Sequence, residues 1–204
     1  MYCILVTGIP AAGKSTMAEA MSKRFKLPVI SKDAIKELLF DNVGFQSRAE
    51  KVNLGIASME IMYYVADQLM GAGQSFILEN NFESSEHGIK NLLEKYQYSV
   101  LTITLTGDYK MIYQRFLERE SSPDRHRGHV LNDCYPEKKE SEPKELKATS
   151  ISYENYVYGI EQRGFDTFWV EGKQIKVDTT DFSKIDMEGL FSRIAAWKEE
   201  ILHD

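Results

Sequence analysis

The chain predicts an α/β fold: a three-layer sandwich in which a central parallel sheet of five strands is covered by helices on both faces. Three observations carry this. Short apolar, β-branched runs alternate with helical patterns along the 204 residues. The first such run passes through a glycine-bearing turn straight into a helix. The polar clusters fall just after predicted strands or helices, and ligands of open parallel sheets gather beyond the carboxyl ends of the strands.

Taken in order, Tyr2-Cys3-Ile4-Leu5-Val6 reads as a buried strand, and Met17, Met21 and Phe25 give the next segment one apolar helical face. Leu27-Pro28-Val29-Ile30 is a second short strand, with Pro28 near its start, and a helix opens at Ser31-Lys32-Asp33 and runs to about Phe40. A longer helix spans Ser47 to Met70, with Leu54, Ile61, Met62, Val65 and Leu69 at three- and four-residue steps and Gly71 and Gly73 at its end. Phe76-Ile77-Leu78 is a third strand ending at Glu79-Asn80-Asn81, and Ser84 through Tyr96 is a helix with Ile89, Leu92 and Leu93 inward. Val100 to Leu105 is the clearest strand, followed after Gly107-Asp108 by a helix bearing Ile112, Arg115, Phe116 and Arg119. From Ser121 to Glu145 prolines and charges replace apolar residues, which reads as a mobile loop. A helix with Leu146, Tyr153, Val157 and Ile160 on one face comes next. Phe168-Trp169-Val170 and Gln174-Ile175-Lys176-Val177 flank a Gly172 turn, and the second is the last sheet strand. Asp178-Thr179-Thr180-Asp181 leads into a closing helix with Leu190, Ile194, Trp197 and Ile201. One domain covering 1–204 follows, with a lid segment at about 120–145.

The turn after the first strand is Gly8-Ile9-Pro10-Ala11-Ala12-Gly13-Lys14-Ser15-Thr16. A glycine, four residues and Gly-Lys-Ser between a strand and a helix form a phosphate loop. Gly8 and Gly13 let several backbone N–H groups turn toward one anion, and the helix N-terminus adds its partial positive charge. Lys14 faces the outer phosphates, and the Ser15 hydroxyl can ligate Mg²⁺. The fold is thus of the P-loop NTPase type and the site takes a nucleoside triphosphate.

Apolar residues make up 43% and charged residues 27%, ordinary for a globular protein. The net charge of −6 argues against a general nucleic-acid binder. Cys3 and Cys134 imply no disulfide framework and point to a reducing cytoplasm. No signal peptide or membrane-length apolar run is seen.

Phosphoryl transfer needs cations and something to orient the attacking oxygen. Asp33, just past the second strand, either takes an acceptor hydroxyl's proton or caps its helix. Glu79 ends the third strand, where an acid stands near the metal's water shell. Asn80 and Asn81 either bind substrate or make the turn. Arg115 and Arg119 share a helical face, and Arg125, His126, Arg127 and His129 follow; two or more of the arginines are expected on phosphate, Arg119 and Arg127 above all, with Arg115 along the adenine. The histidines, with Cys134 alone beyond them, do not read as a zinc site. Thr179 either contacts the adenine through backbone groups or caps a turn. Tyr63, Tyr64, Tyr153, Tyr156 and Tyr158 read as helix packing.

The phosphate loop, Ile30-Ser31-Lys32-Asp33-Ala34-Ile35-Lys36, Ile77-Leu78-Glu79-Asn80-Asn81 and the arginine-bearing lid together resemble small P-loop kinases of the zeta-toxin, chloramphenicol-phosphotransferase and polynucleotide-kinase type. The resemblance implies a nucleoside-monophosphate-kinase-like fold with ATP and Mg²⁺ as cofactors. It assigns Asp33 as base toward an acceptor hydroxyl, whereas Glu79-Asn80-Asn81-Phe82 departs from the acid followed by Asn-Thr-Asn or Gly-Thr that such kinases carry, which leaves the acceptor open. Lys36, on the substrate side with Asp33, stands where polynucleotide kinases carry an arginine and forfeits bidentate phosphate recognition, which turns the expectation to a small acceptor, with a polynucleotide 5′-hydroxyl kinase and a non-catalytic ATP-binding regulatory protein as the alternatives.

Overall fold

A computed structural model describes residues 1–82, 87–137 and 151–203. Its strands are β1 (Tyr2–Gly8), β2 (Val29–Ser31), β3 (Phe76–Glu79), β4 (Ser99–Thr106) and β5 (Lys173–Asp178). The helices are α1 (Lys14–Phe25), α2 (Lys32–Asn42), α3 (Arg48–Gly71), α4 (His87–Tyr96), α5 (Tyr109–Ser121), the single-turn α6 (Arg127–Val130), α7 (Tyr153–Arg163) and α8 (Met187–His203). All strand pairs are parallel, in the order β2-β3-β1-β4-β5.

β1 alternates between two cores, as period-two side-chain geometry requires. Ile4 and Val6 enter the core formed with α1, α5, α7 and α8, while Cys3 and Leu5 enter the one formed with α3, α4 and Phe168. Both faces of the central strand are therefore covered, and the sandwich has its three layers.

The elements depart from expectation in five places. β2 begins at Val29, because Pro28 has no N–H for the ladder; its carbonyl accepts from Ile77 N at 2.9 Å. Phe168-Trp169-Val170 forms no strand: Phe168 stacks on Phe82 at 5.0 Å and closes the second core. The buried stripe of α3 runs through Ser58, Met62, Ala66 and Met70, leaving Ile61 39% exposed. Tyr64 and Tyr158 lie on the surface and pack no core.

The fifth departure concerns the loop from Ser121. Among the described residues, 122–137 are held against α2 and α3. Gly128 packs so closely on Phe40 that a Cβ would stand 2.3 Å from its ring, and Phe45 and Tyr135 exchange both backbone hydrogen bonds at 2.8 Å. Lys51 Nζ donates to the carbonyls of His129 (2.7 Å) and Leu131 and to Asn132 Oδ1 (3.2 Å). Polar and aromatic contacts replace the missing apolar ones. The remainder of the expected lid, 138–145, lies outside the described residues, as do 83–86 at the expected start of α4 and Leu146 of the expected face of α7.

Candidate active site

The site forms where β1 and β3 end. Gly8 has φ +132°, and a Cβ there would sit 2.0 Å from the Leu105 carbonyl oxygen, so only glycine lets β1 leave the sheet this close to β4. Ile9 N then donates to that same carbonyl at 3.1 Å, and Ala12 N to Ile9 O at 3.2 Å. Ala11 adopts φ +64° in the turn. α1 starts behind Gly13 with no side chain bonded to its first N–H groups. Open N–H groups at the head of a twelve-residue helix are an anion site. Lys14 Nζ lies over this turn, donating to the carbonyls of Gly8 (3.1 Å) and Ile9 (3.0 Å). From α7, in the same core as Ile9 and Ala12, the Tyr156 hydroxyl donates to the Pro10 carbonyl at 2.8 Å.

Three acids and bases expected from sequence converge here. Glu79 is buried at the end of β3, where its Oε2 accepts from Ser31 Oγ at 2.5 Å and the Ser15 hydroxyl also bonds the carboxyl. Burial pushes the Glu79 carboxyl up; Lys14 and the Ser31 and Ser15 hydroxyls oppose the rise, and Asp33 adds to it. Burial draws the Lys14 ammonium down to about 8, against the pull of Glu79 and Asp33 and with Arg119 helping to lower it. Asp33 sits in the first turn of α2, but the cap is Ser31, whose Oγ accepts from Ala34 N. That leaves the Asp33 carboxylate facing a concavity that water reaches. Burial among protein atoms works against its charge. His129 (when protonated), Lys14, Lys36 and Arg125 outweigh that and hold the carboxyl below its usual range. Burial and Arg125 lower His129 to about 3, so at neutral pH the lasting cations keep Asp33 ionised. The neutral His129 ring donates from Nε2 to Glu37 Oε1 at 2.9 Å.

The arginines divide. Arg119 lies over the Phe116 ring (5.5 Å), is anchored by Glu120 at 2.9 Å, and its charge reaches Lys14. Arg125 is set inward beside Glu120 (3.2 Å), within electrostatic reach of Arg119 and Asp33. Arg127, expected at the phosphates, instead makes a two-pronged pair with Glu137 at 2.7 and 2.8 Å, because it opens α6 on the side where that carboxylate fits its fork. Arg115 has Nε and one terminal nitrogen buried without a hydrogen-bond acceptor among the described residues, beside Tyr156. Thr179 is engaged internally: its N–H and hydroxyl both donate to the Thr106 carbonyl, at 2.7 and 3.1 Å, and Thr180 and Asp178 complete the turn. The amide expected near the adenine, and the hydroxyl with it, thus hold the end of β5 to β4.

Asn80 accepts from Asn81 N through Oδ1 (2.8 Å), and the Asn81 carbonyl accepts from Thr7 Oγ1 (2.9 Å). Both residues also line a cleft of about 1000 Å³ shared with Asp33 and Lys36. Sequence reasoning passed over Arg48 and Lys51 of this region; Tyr156 packs in the core as expected, and its bond to the Pro10 carbonyl is an added role. Lys51 had a signal, since it falls on the same stripe as Ser58, Met62, Ala66 and Met70, where a lysine must find acceptors.

A family model described as an AAA domain matches residues 4–145, well over half of the chain. The protein belongs to this AAA-domain family. No curated protein matches it. Among solved structures, the AAA domain is similar to an inferred kinase from Chloroflexus aurantiacus J-10-fl, 24% identical over 98% of this chain and 96% of that one, TM-score 0.73. A gluconokinase from Sinorhizobium meliloti 1021 is 14% identical over 99% and 96%, TM-score 0.58. A shikimate kinase from Bacteroides thetaiotaomicron is 15% identical over 98% of both chains, TM-score 0.52. At these identities the likeness is one of fold, the P-loop kinase fold. Among the described residues no helix is long and apolar enough to cross a membrane.

Proposed function

We propose that this AAA domain is an ATP- and Mg²⁺-dependent phosphotransferase that moves the γ-phosphoryl group to a hydroxyl of a small molecule, in a reducing cytoplasm. The observation that carries the reading is the meeting of Lys14, Glu79 and Asp33, from three separate elements, at the mouth of the phosphate loop. The donor set suits the cofactors. The uncapped α1 N-terminus and the unpartnered Arg115 nitrogens offer donors for a nucleotide, and a hydroxyl beside a buried carboxylate, Ser15 and Glu79, is a hard-oxygen pair that suits Mg²⁺. Among the described residues no group of three His, Cys, Asp or Glu could hold a metal, which suits an ion that borrows phosphate oxygens and water. When bound, the ion supplies charge neutralisation at the phosphates.

The chain's own groups do the rest. The ionised Asp33 orients the acceptor hydroxyl and takes its proton as the new oxygen–phosphorus bond forms and the bond to the departing ADP breaks. Lys14, Arg119 and Arg125 meet the charge that grows on the transferred group. The finer resemblance to zeta-toxin, chloramphenicol-phosphotransferase and polynucleotide-kinase enzymes belongs to the same proposal, with a small acceptor preferred to nucleic acid. The test is melting with Mg²⁺-ATP together with ADP release over a panel of hydroxyl compounds. A rise of about 2.7 kcal/mol in stability is expected at a hundredfold excess over Kd, lost in Lys14→Ala. No shift, or an equal shift in Lys14→Ala, refutes the reading.

A further inference from the structure

We infer that the cleft beside Asp33 takes an acceptor that is itself an acid with an apolar body: a hydroxylated small molecule with a carboxylate or phosphate at one end and a hydrophobic ring or chain at the other. The inference rests on the phosphotransferase reading for the chemistry, and on the cleft alone for the class of ligand.

The cleft lies between α2, α3 and α4, and its volume is at the upper end for a small-molecule site and more than a single sugar ring fills. Its two ends differ in charge. Lys36 and Arg48 stand at the end near Asp33. The Lys36 ammonium rests 5.4 Å from the Phe40 ring centroid and makes no hydrogen bond or ion pair with a described side chain. Arg48 gives one N–H to Asn132 Oδ1 at 2.7 Å and has the others to offer. Of the acids along the cleft, Asp33 is assigned to the hydroxyl and Asp67 is tied to Lys95 (2.8 Å) and Tyr96 (3.0 Å). Glu60 lies twelve residues along α3 from Arg48, roughly 18 Å at 1.5 Å per residue, so it does not neutralise that end.

Gly55 supports the same assignment. It sits inside a 24-residue helix, where glycine is about 1 kcal/mol worse than alanine. A Cβ there would stand 3.5 Å from Lys36 Nζ, in the space an anion would need. The long wall is apolar: Val52, Ile56, Met59 and Tyr63 recur at helical spacing on α3. Val52 and Ile56 are 50% and 52% exposed and adjoin Met59 and Tyr63, so the wall presents one continuous apolar stripe to the cleft. A lysine whose one anionic neighbour among the described residues, Asp33, is assigned to the hydroxyl, and an apolar wall open to the cleft, call for opposite ends of one molecule.

The experiment is calorimetric binding in the presence of Mg²⁺-ADP to a matched series: phenyl β-glucoside, phenyl β-glucuronide, phenyl β-glucoside 6-phosphate, and the three parent compounds without phenyl. The acids should bind at least about tenfold more tightly than the neutral glucoside, and the phenyl group should add about another tenfold. The two acids compared directly tell carboxylate from phosphate. Lys36→Met should abolish the acid-to-neutral ratio and Lys36→Arg restore most of it. Equal binding of neutral and acidic members, no binding of either acid, or an unchanged ratio in Lys36→Met overturns the inference. ADP release with neutral hydroxyl compounds alone also overturns it, and leaves the phosphotransferase standing. Acid binding without ADP release from any bound compound sinks the phosphotransferase instead, and the acid site survives.

Discussion

Replacing Lys51 with methionine probes the docked segment 122–137. The ammonium donates to two carbonyls and an amide oxygen, and Lys51 is only 8% exposed. Hydrogen bonds to a charged group contribute about 1.5–3 kcal/mol each, and removing the donor leaves three half-buried acceptors unpaired, which argues for the low end. At the low end this is about 4.5 kcal/mol. The loss falls on local opening, because the segment keeps its contacts to Asp41, Glu37 and Phe40 and can swing out to rehydrate its carbonyls. A loss of about 4 kcal/mol corresponds to roughly a thousandfold in the opening equilibrium. The assay is native-state hydrogen exchange at the amides of Leu131 and Tyr135, which donate to Arg127 O and Phe45 O. Protection there should fall by that factor while the amides of β1 and β4 keep theirs. Turnover should fall with it, since Arg125 and His129 belong to the same segment. Protection within tenfold of the parent protein would show that Lys51 does not hold the segment.

Arg125→Ala should lower turnover by about a hundredfold or more with little change in ATP affinity, because its contribution grows with transition-state charge. Arg127→Ala should cost no more than about 1 kcal/mol of stability and leave the rate nearly intact, its pair with Glu137 being partly exposed; steady-state kinetics on both variants separates the roles. Nucleotide affinity should be flat below pH 8 and drop above it: the ammonium facing the phosphates is favoured in the complex, and free Lys14 loses its proton at about 8, so binding must take one up. Calorimetry in buffers of differing ionisation heat measures that uptake, and its absence at pH 9 would refute the assignment. Gly8→Ala should destabilise the fold by more than about 3 kcal/mol in a denaturant titration, since the new carbon would collide with the β4 backbone 2.0 Å away.

The order of elements and the phosphate loop were legible because both rest on local signals, strand-length apolar runs and a motif whose spacing is set by backbone geometry. The Asp33 alternative was not, since aspartate caps and catalyses from the same place; the structure gives the cap to Ser31, whose hydroxyl serves the helix and Glu79 together, and leaves the role of Asp33 to the proposal. The pairing of Arg127 was not legible for a related reason. Sequence shows that arginines are close to one another, and only the fold shows that Glu137 takes one of them. The loop after Ser121 read as mobile because it buries little apolar surface, yet Lys51, seventy residues earlier, together with Phe40, Phe45, Glu37 and Asp41 holds its described part. Long-range polar satisfaction of this kind has no local signature. Thr179 followed the same pattern, its polar groups answering a carbonyl on the neighbouring strand.

The glycine-lined turn at the start of the chain is not a local structure. Its exit from β1 is set by the Leu105 carbonyl, and β1 itself is in register with Phe76–Glu79 on one side and with Ser99–Leu105 on the other. Parallel pairings over such separations close large loops before they return any contact energy, so they form slowly. The anion cradle therefore matures late. During synthesis the motif emerges before the strand whose Leu105 carbonyl shapes it, so its cradle is expected to form only once the fourth strand has paired. A nascent chain halted before Leu105 should have no affinity for nucleotide, and the capacity should arrive in one step once β4 is free to pair.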